Sequence, residues 1–274
     1  MCYNTYMAHK ILVSHESPIS MFDQSLIYND YDYALVHLFE THPTYYQFFK
    51  DSITRDRQVL LDNSIFELGA SFDKDKFAKY VTELKPTFYI VPDVLEDGYT
   101  TVKNYANFTS EYKDLPGLRI GAIQGKTFDE LVDCYKYMSE YADYIAISFD
   151  FSYYIVTGRG TTKLDRWCSG RQLFIRALID QGIWNWNKPH HLLGCSLAKE
   201  FRYYVDNNIY NIRSCDTSNP IVAGIQGLKY SGDFGLSTKP STKLVELIDI
   251  EVSPDQVHNI IYNVMAFKEI LRRN

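Results

Sequence analysis

Eight short apolar runs, most with room for a helix before the next, restrict the fold of this 274-residue chain more than any other feature. They lie at 11–14, 33–38, 58–62, 87–91, 118–124, 143–149, 190–195 and 210–215. Runs of this length bounded by turn residues read as buried strands rather than helices. Helical spacing falls between them: F-x2-Y-V-x2-L over 74–84, and Leu131, Val132, Tyr135 and Met138 over 128–141. Further helices are predicted over 164–181, over 198–207 with Ser196 as cap, and from Pro254 to about 271 with Ser253 as N-cap. Strands alternating with helices imply βαβ units and a parallel sheet. Eight of them favour a closed (β/α)8 TIM-type barrel, one α/β domain over 1–274, which typically needs about 250 residues. The stretch 18–32 has little helical pattern. Residues 219–242 are rich in Gly, Ser and Pro, so 217–243 is predicted as a long loop after the last strand, of the kind that builds sites.

Five polar residues stand at or just past the C-terminal ends of these runs: Asp62, Asp93, Gln124, Cys195 and Asp216. Burying such a group costs a few kcal/mol unless something pairs with it. Several at one end of a barrel point to a shared site at its mouth. Asp62 and Asp216 form a candidate acid pair, one ionised as nucleophile and the other moving protons. That division suits substitution at an anomeric carbon; the plainer role for each is capping the segment that follows. Gln124, flanked by Gly121 and Gly125, offers a donor and an acceptor to a planar heterocycle, or a bond to a neighbouring loop. Asp93 could accept from the N–H groups of a purine-like base, or serve its own turn. Phe66 could stack on a base face, or pack in the core. In TGRGTTK (157–163), Arg159 and Lys163 precede a predicted helix, where a phosphate could sit; a flexible loop is the simpler reading. Arg166, Arg171 and Arg176 spread around that helix without forming a stripe. His190 and His191 fall at the start of a strand and read as structural, with Trp184 and Trp186 covering the barrel bottom nearby.

Net charge is −6, from 28 basic and 34 acidic residues, which argues against an extensive nonspecific nucleic-acid surface but not against a local basic groove. The cysteines at 2, 134, 168, 195 and 215 show no CxxC and no clustering with histidine, so neither a disulfide framework nor a zinc ribbon is expected. The opening MCYNTYMAHK has no apolar signal core, and no run approaches a membrane span. A cytoplasmic protein with no metal and no cofactor is the expectation. Tyrosine, with 23 copies, is the compositional outlier, and some copies could face a planar ligand.

Laid in order, these segments resemble the tRNA-guanine transglycosylase superfamily, (β/α)8 barrels that exchange guanine for a 7-deazaguanine. The family's Asp-Ser-Gly-Gly-Phe/Tyr-Gln motif is similar to Asp62-Asn63-Ser64-Ile65-Phe66-Glu67, which implies Asp62 as acid/base, Phe66 as the stacking residue and Asn63 beside them. The family's later base-reading aspartate falls on Asp93. Its Val-Gln-Gly strand resembles Ile123-Gln124-Gly125, and its Leu-Met-Gly-Val-Gly strand resembles Leu192-Leu193-Gly194-Cys195-Ser196, placing Gly194 and Cys195 at the base. Its nucleophile motif, Phe-Asp-Cys followed by a proline, is similar to Cys215-Asp216-Thr217-Ser218-Asn219-Pro220 and implies that Asp216 attacks the sugar C1′. The resemblance covers about 58–225. It departs at 146–151, where the family's glycines are missing, and in lacking the Cys/His zinc subdomain of tRNA-acting members. In this the chain looks closer to the compact phage and bacterial enzymes that insert 7-deazaguanines into DNA. The resemblance therefore implies a base-exchanging pentosyltransferase acting on guanine in a nucleic acid, DNA favoured over RNA. A modified purine base would be the second substrate, and Arg159, Lys163, Arg166 and the lysines of 229–243 would form a basic rim. The alternative is a barrel glycosylase or hydrolase acting on a free nucleoside, nucleotide or sugar.

Overall fold

The computed structural model describes residues 10–231 and 235–272. Its strands are β1 (Leu12–Ser14), β2 (Asp32–Leu35), β3 (Val59–Asp62), β4 (Phe88–Ile90), β5 (Leu118–Ala122), β6 (Tyr144–Ser148), β7 (His190–Leu193) and β8 (Ile212–Asp216). All pair in parallel, in the order β1-β8-β7-β6-β5-β4-β3-β2. At the β1/β2 seam separate bonds replace a ladder: Asp30 N–H donates to Val13 O at 3.0 Å, Val13 N–H to Asp30 Oδ2 at 3.0 Å and Tyr33 N–H to Ser14 Oγ at 3.1 Å. The chain is thus a nearly closed (β/α)8 TIM-type barrel, as its strand count implies.

One helix follows each strand: α1 (Phe22–Tyr28), α2 (Pro43–Thr54), α3 (Lys74–Leu84), α4 (Gly98–Glu111), α5 (Phe128–Tyr141), α6 (Lys163–Asp180), α7 (Lys199–Asp206) and α8 (Pro254–Ile270). Their starts are written in side chains. Asp73, Asp97 and Thr127 accept from the first-turn amides of α3, α4 and α5, and Thr162 with Asp165 and Ser253 with Gln256 form capping boxes on α6 and α8. Short helices at Leu38–Thr41, Ile65–Leu68, Ser152–Thr157 and Asn219–Ile225 lie in the βα loops.

Several expectations need correction. Helix α1 occupies the stretch that lacks a helical pattern, because burial of Phe22, Ser25 and Tyr28 outweighs weak periodicity. Ser196 does not cap α7; its hydroxyl donates to Leu164 O at 3.4 Å, and Ala198, which has no side-chain cap bond, stands at the N-cap. The 217–243 loop contains the wholly buried Asn219–Ile225 helix, whose apolar side chains join Met21, Tyr28, Ile260 and Val264 in a second small core. Its residues 232–234, like the opening segment 1–9 with Cys2, lie outside the described residues. Among the described residues, no helix is long and apolar enough to cross a membrane.

The lumen decides where a site can form. Side chains alternate in and out along a strand, and here the lower inward positions hold rings. Phe88 and Tyr144 meet edge to face with centroids 5.6 Å apart, and Tyr33 stacks on His191 at 6.1 Å. Above this floor, at the C-terminal ends of the strands, the lumen opens.

Candidate functional site

A cavity of about 430 Å³ fills the upper lumen, within the range of roughly 300–1,000 Å³ usual for small-molecule sites. Asp62, Phe66, Asp93, Gln124, Gly194, Cys195 and Asp216 all line it. Three more carboxylates join them: Glu16 after β1, Glu67 on the Ile65–Leu68 helix and Asp150 after β6. Residues 239–245 supply one wall, with Lys239 and Lys243.

Asp216 ends β8 and is 5% exposed. Its Oδ1 lies 3.0 Å from His191 Nε2 and accepts from the Gly194 amide at 3.1 Å, while Oδ2 accepts nothing among the described residues. Asp62 ends β3, and its Oδ2 accepts from the Ser64 amide at 3.2 Å. Burial holds Asp62 well above the usual carboxylate range, and Glu67, Asp216 and Asp93 push the same way. Glu16 is raised for the same reasons: burial first, then Asp216, Glu67 and Asp62, against the opposing charge of Lys239. Glu67 is pushed up to about 7, chiefly by burial. Its Oε2 is shut off from solvent and has no hydrogen-bond partner among the described residues.

Asp93 and Gln124 are joined directly. Gln124 Nε2 donates to Asp93 Oδ2 at 2.6 Å, and Asn63 Nδ2 donates to Oδ1 at 2.8 Å. Gln124 Oε1 accepts from the Glu96 amide at 2.9 Å. The two amides hold Asp93 at a fixed angle, and burial still leaves its carboxyl raised. Asn63 corrects an expectation: it is fully buried behind Asp93 and does not line the cavity, so it positions the site rather than meeting a ligand.

Gly194 has φ +64°, and a Cβ there would come within 2.5 Å of the Phe149 ring, so this turn needs glycine. Cys195 contributes a wall, but its carbonyl is taken by Lys239 Nζ at 3.0 Å and burial pushes its thiol up to about 12. Burial in turn holds the Lys239 ammonium below the usual lysine range.

Three aromatic rings at the mouth each carry a lysine over one face. Lys243 Nζ lies 4.8 Å from the Phe66 centroid, Lys239 4.4 Å from Phe149 and Lys163 4.2 Å from Trp167. Phe66 is 41% exposed, so it is available for stacking rather than committed to the core. Arg159 and Lys163 lie outside the cavity. The expected phosphate cradle is already occupied, because the α6 N-terminus is closed by its own Thr162–Asp165 capping box and Asp165 pairs with Lys199 at 2.7 Å.

The two histidines separate. His190 points into the helix layer, stacked on Trp184 at 3.8 Å and bonded to Tyr135 Oη at 2.9 Å, as a structural residue should be. His191 is corrected: it lies inside the barrel against Asp216. The register between β7 and β8 slips at this point, pairing His190 with Ile212 but His191 with Ser214. The extra residue is Arg213, so the bulge lies in β8 and β7 keeps its alternation.

Glu16 and Asp150 were missed although they carry the same signal as the others, a carboxylate just past an apolar run. Glu67 was legible only as the last residue of the motif that begins at Asp62, and Lys239 only among the 229–243 lysines of the expected rim; neither was placed in the cavity. Among the described residues, no cluster of three or more His, Cys, Asp or Glu side chains is arranged to hold a metal ion. No family model and no curated protein matches the chain.

Proposed function

We propose that this chain is a base-exchanging pentosyltransferase that replaces guanine in a nucleic acid, DNA favoured, with a 7-deazaguanine derivative. The observation that carries the reading is the meeting of Asp62, Phe66, Asp93, Gln124 and Asp216, from the ends and following loops of four strands, around one cavity. In this reading Asp216 Oδ2, the oxygen without a donor, attacks C1′ as the C1′–N9 bond breaks. The bonding pair leaves with the purine, and Asp62, whose burial favours the protonated form, gives its proton to the departing base. The products of this half are a glycosyl ester on Asp216, free guanine and ionised Asp62. The incoming base then returns a proton to Asp62, its N9 bonds to C1′, and Asp216 leaves as a carboxylate. Asp93 and Gln124 read the edge of the heterocycle and Phe66 covers its face. The target nucleotide must be unstacked or single-stranded to reach the lumen.

The test is base exchange on defined single-stranded DNA, double-stranded DNA and an RNA hairpin, with labelled guanine and labelled 7-deazaguanine precursors. Label should enter a polymer with the wild type and not with Asp216→Asn, and the polymer labelled names the substrate. No label in any polymer, from protein shown to be folded, would move the reading to a glycosylase or hydrolase of free nucleosides, nucleotides or sugars.

A further inference from the structure

His191 is 0% exposed and belongs to a buried chain that ends on the proposed nucleophile. Tyr144 Oη and Ser214 Oγ are 3.2 Å apart, Ser214 Oγ and His191 Nδ1 2.9 Å, and His191 Nε2 and Asp216 Oδ1 3.0 Å. An ionised carboxylate can only accept, so Nε2 carries the hydrogen towards Asp216. In the tautomer with hydrogen on Nε2 alone, Nδ1 accepts from Ser214, and Ser214 accepts from Tyr144. The ring is held in place by Tyr33, stacked at 6.1 Å, and by Tyr31, edge-on at 6.4 Å. His191 does not line the cavity, so it cannot reach a sugar or a base itself.

We infer that His191 is the positioning residue of Asp216, holding Oδ1 so that Oδ2 alone faces the sugar and favouring departure of Asp216 as a carboxylate. The inference rests on the nucleophile role proposed above. Its chemistry follows from how the acceptor changes during the cycle. A bond from Nε2–H to a carboxylate is charge-assisted, and the same bond to the carbonyl of a glycosyl ester is weaker. The interaction therefore strengthens as the ester breaks and charge returns to Oδ1. Losing it raises the barrier to breakdown more than the barrier to formation. The Gly194 amide, on the same oxygen, keeps some of this support when His191 is replaced.

Wild type, His191→Leu and His191→Gln would be mixed with the labelled polymer, and both base exchange and covalent adduct measured, the latter by intact mass after denaturation. Leu should lower exchange about 10- to 100-fold, the effect of removing one hydrogen bond to a charged group. The fraction trapped as adduct should rise, and KM for the incoming base should barely change. Gln, whose amide N–H reaches a similar place, should restore most of the exchange. Exchange and adduct falling together, with Gln no better than Leu, would overturn the inference and leave His191 a packing residue. A second readout does not depend on turnover: the ¹⁵N spectrum of the wild-type imidazole should show hydrogen on Nε2 and an acceptor at Nδ1, and Asp216→Asn should shift Nε2. If no polymer is labelled, the proposed function falls, and this spectrum still decides the His191–Asp216 coupling; hydrogen on Nδ1 would overturn it.

Discussion

At the scale of single residues, the cavity places more carboxylates together than water-like ionisation allows. Asp62, Glu16 and Glu67 are all raised, burial being the first cause in each and the remaining carboxylates adding to it. Glu67 gives a clean sign. Its ordinary value is 4.5 and burial takes it to about 7, so across that window the folded chain binds more protons than the unfolded chain. Stability from this group is therefore full below about pH 4.5 and falls as pH rises towards 7. Glu67→Gln should flatten the decline of Tm across this interval and exceed the wild type in Tm at pH 8. Thermal denaturation at several pH values measures both, and parallel curves for the two proteins would reject the assignment. Asp62, Asp93, Gln124 and Asp216 were legible in the sequence because each interrupts an apolar run at its end. His191 was not, because, of two adjacent histidines at a strand start, only pairing with β8 shows which one faces Asp216.

At the scale of elements, Arg171 on α6 ties together the ends of β6 and β7. It is fully buried, and its guanidinium pairs with Glu200 of α7 at 2.5 Å. It also donates to the carbonyls of Ile147, Leu193 and Gly194 at 3.0–3.1 Å. The Gly194 amide that bonds Asp216 is thus held by a helix some twenty residues upstream in sequence. Arg171→Met should cost about 3–5 kcal/mol in urea denaturation, since it strands the Glu200 charge in the interior. A loss under about 1 kcal/mol would mean that the carbonyls and Glu200 find other donors. Nothing in the sequence marked this arginine: Arg166, Arg171 and Arg176 looked equivalent, and only packing turned one of them inward.

For the whole molecule, the overall charge of −6 and the lysines set over the mouth's aromatic rings pull in opposite directions. A polymer held by phosphate contacts must bind less tightly as salt rises, with a slope of about −0.9 per contact on duplex and −0.7 on single strands. Reversing Arg159 and Lys163 to glutamate should weaken binding and make that slope shallower by about two contacts. Affinity and slope both unchanged would remove those two residues from the rim and leave the role to the exposed Arg166, Lys229 and Lys243.

The barrel was legible in the sequence because strand and helix periods, strand length and the cap at Ser253 are local properties of the chain. The sequence also marked the strand-end acids, since a carboxylate closing an apolar run stands out without any knowledge of its neighbours. Tertiary structure alone decided that Asn63 lies behind Asp93, that Glu16 and Glu67 share the cavity, that Lys239 is half-buried in its wall and that His191 faces Asp216. These depend on register, loop path and the closing of the ring, where residues far apart in the chain compete for one small volume. Local pattern carries no information about that competition until the barrel closes.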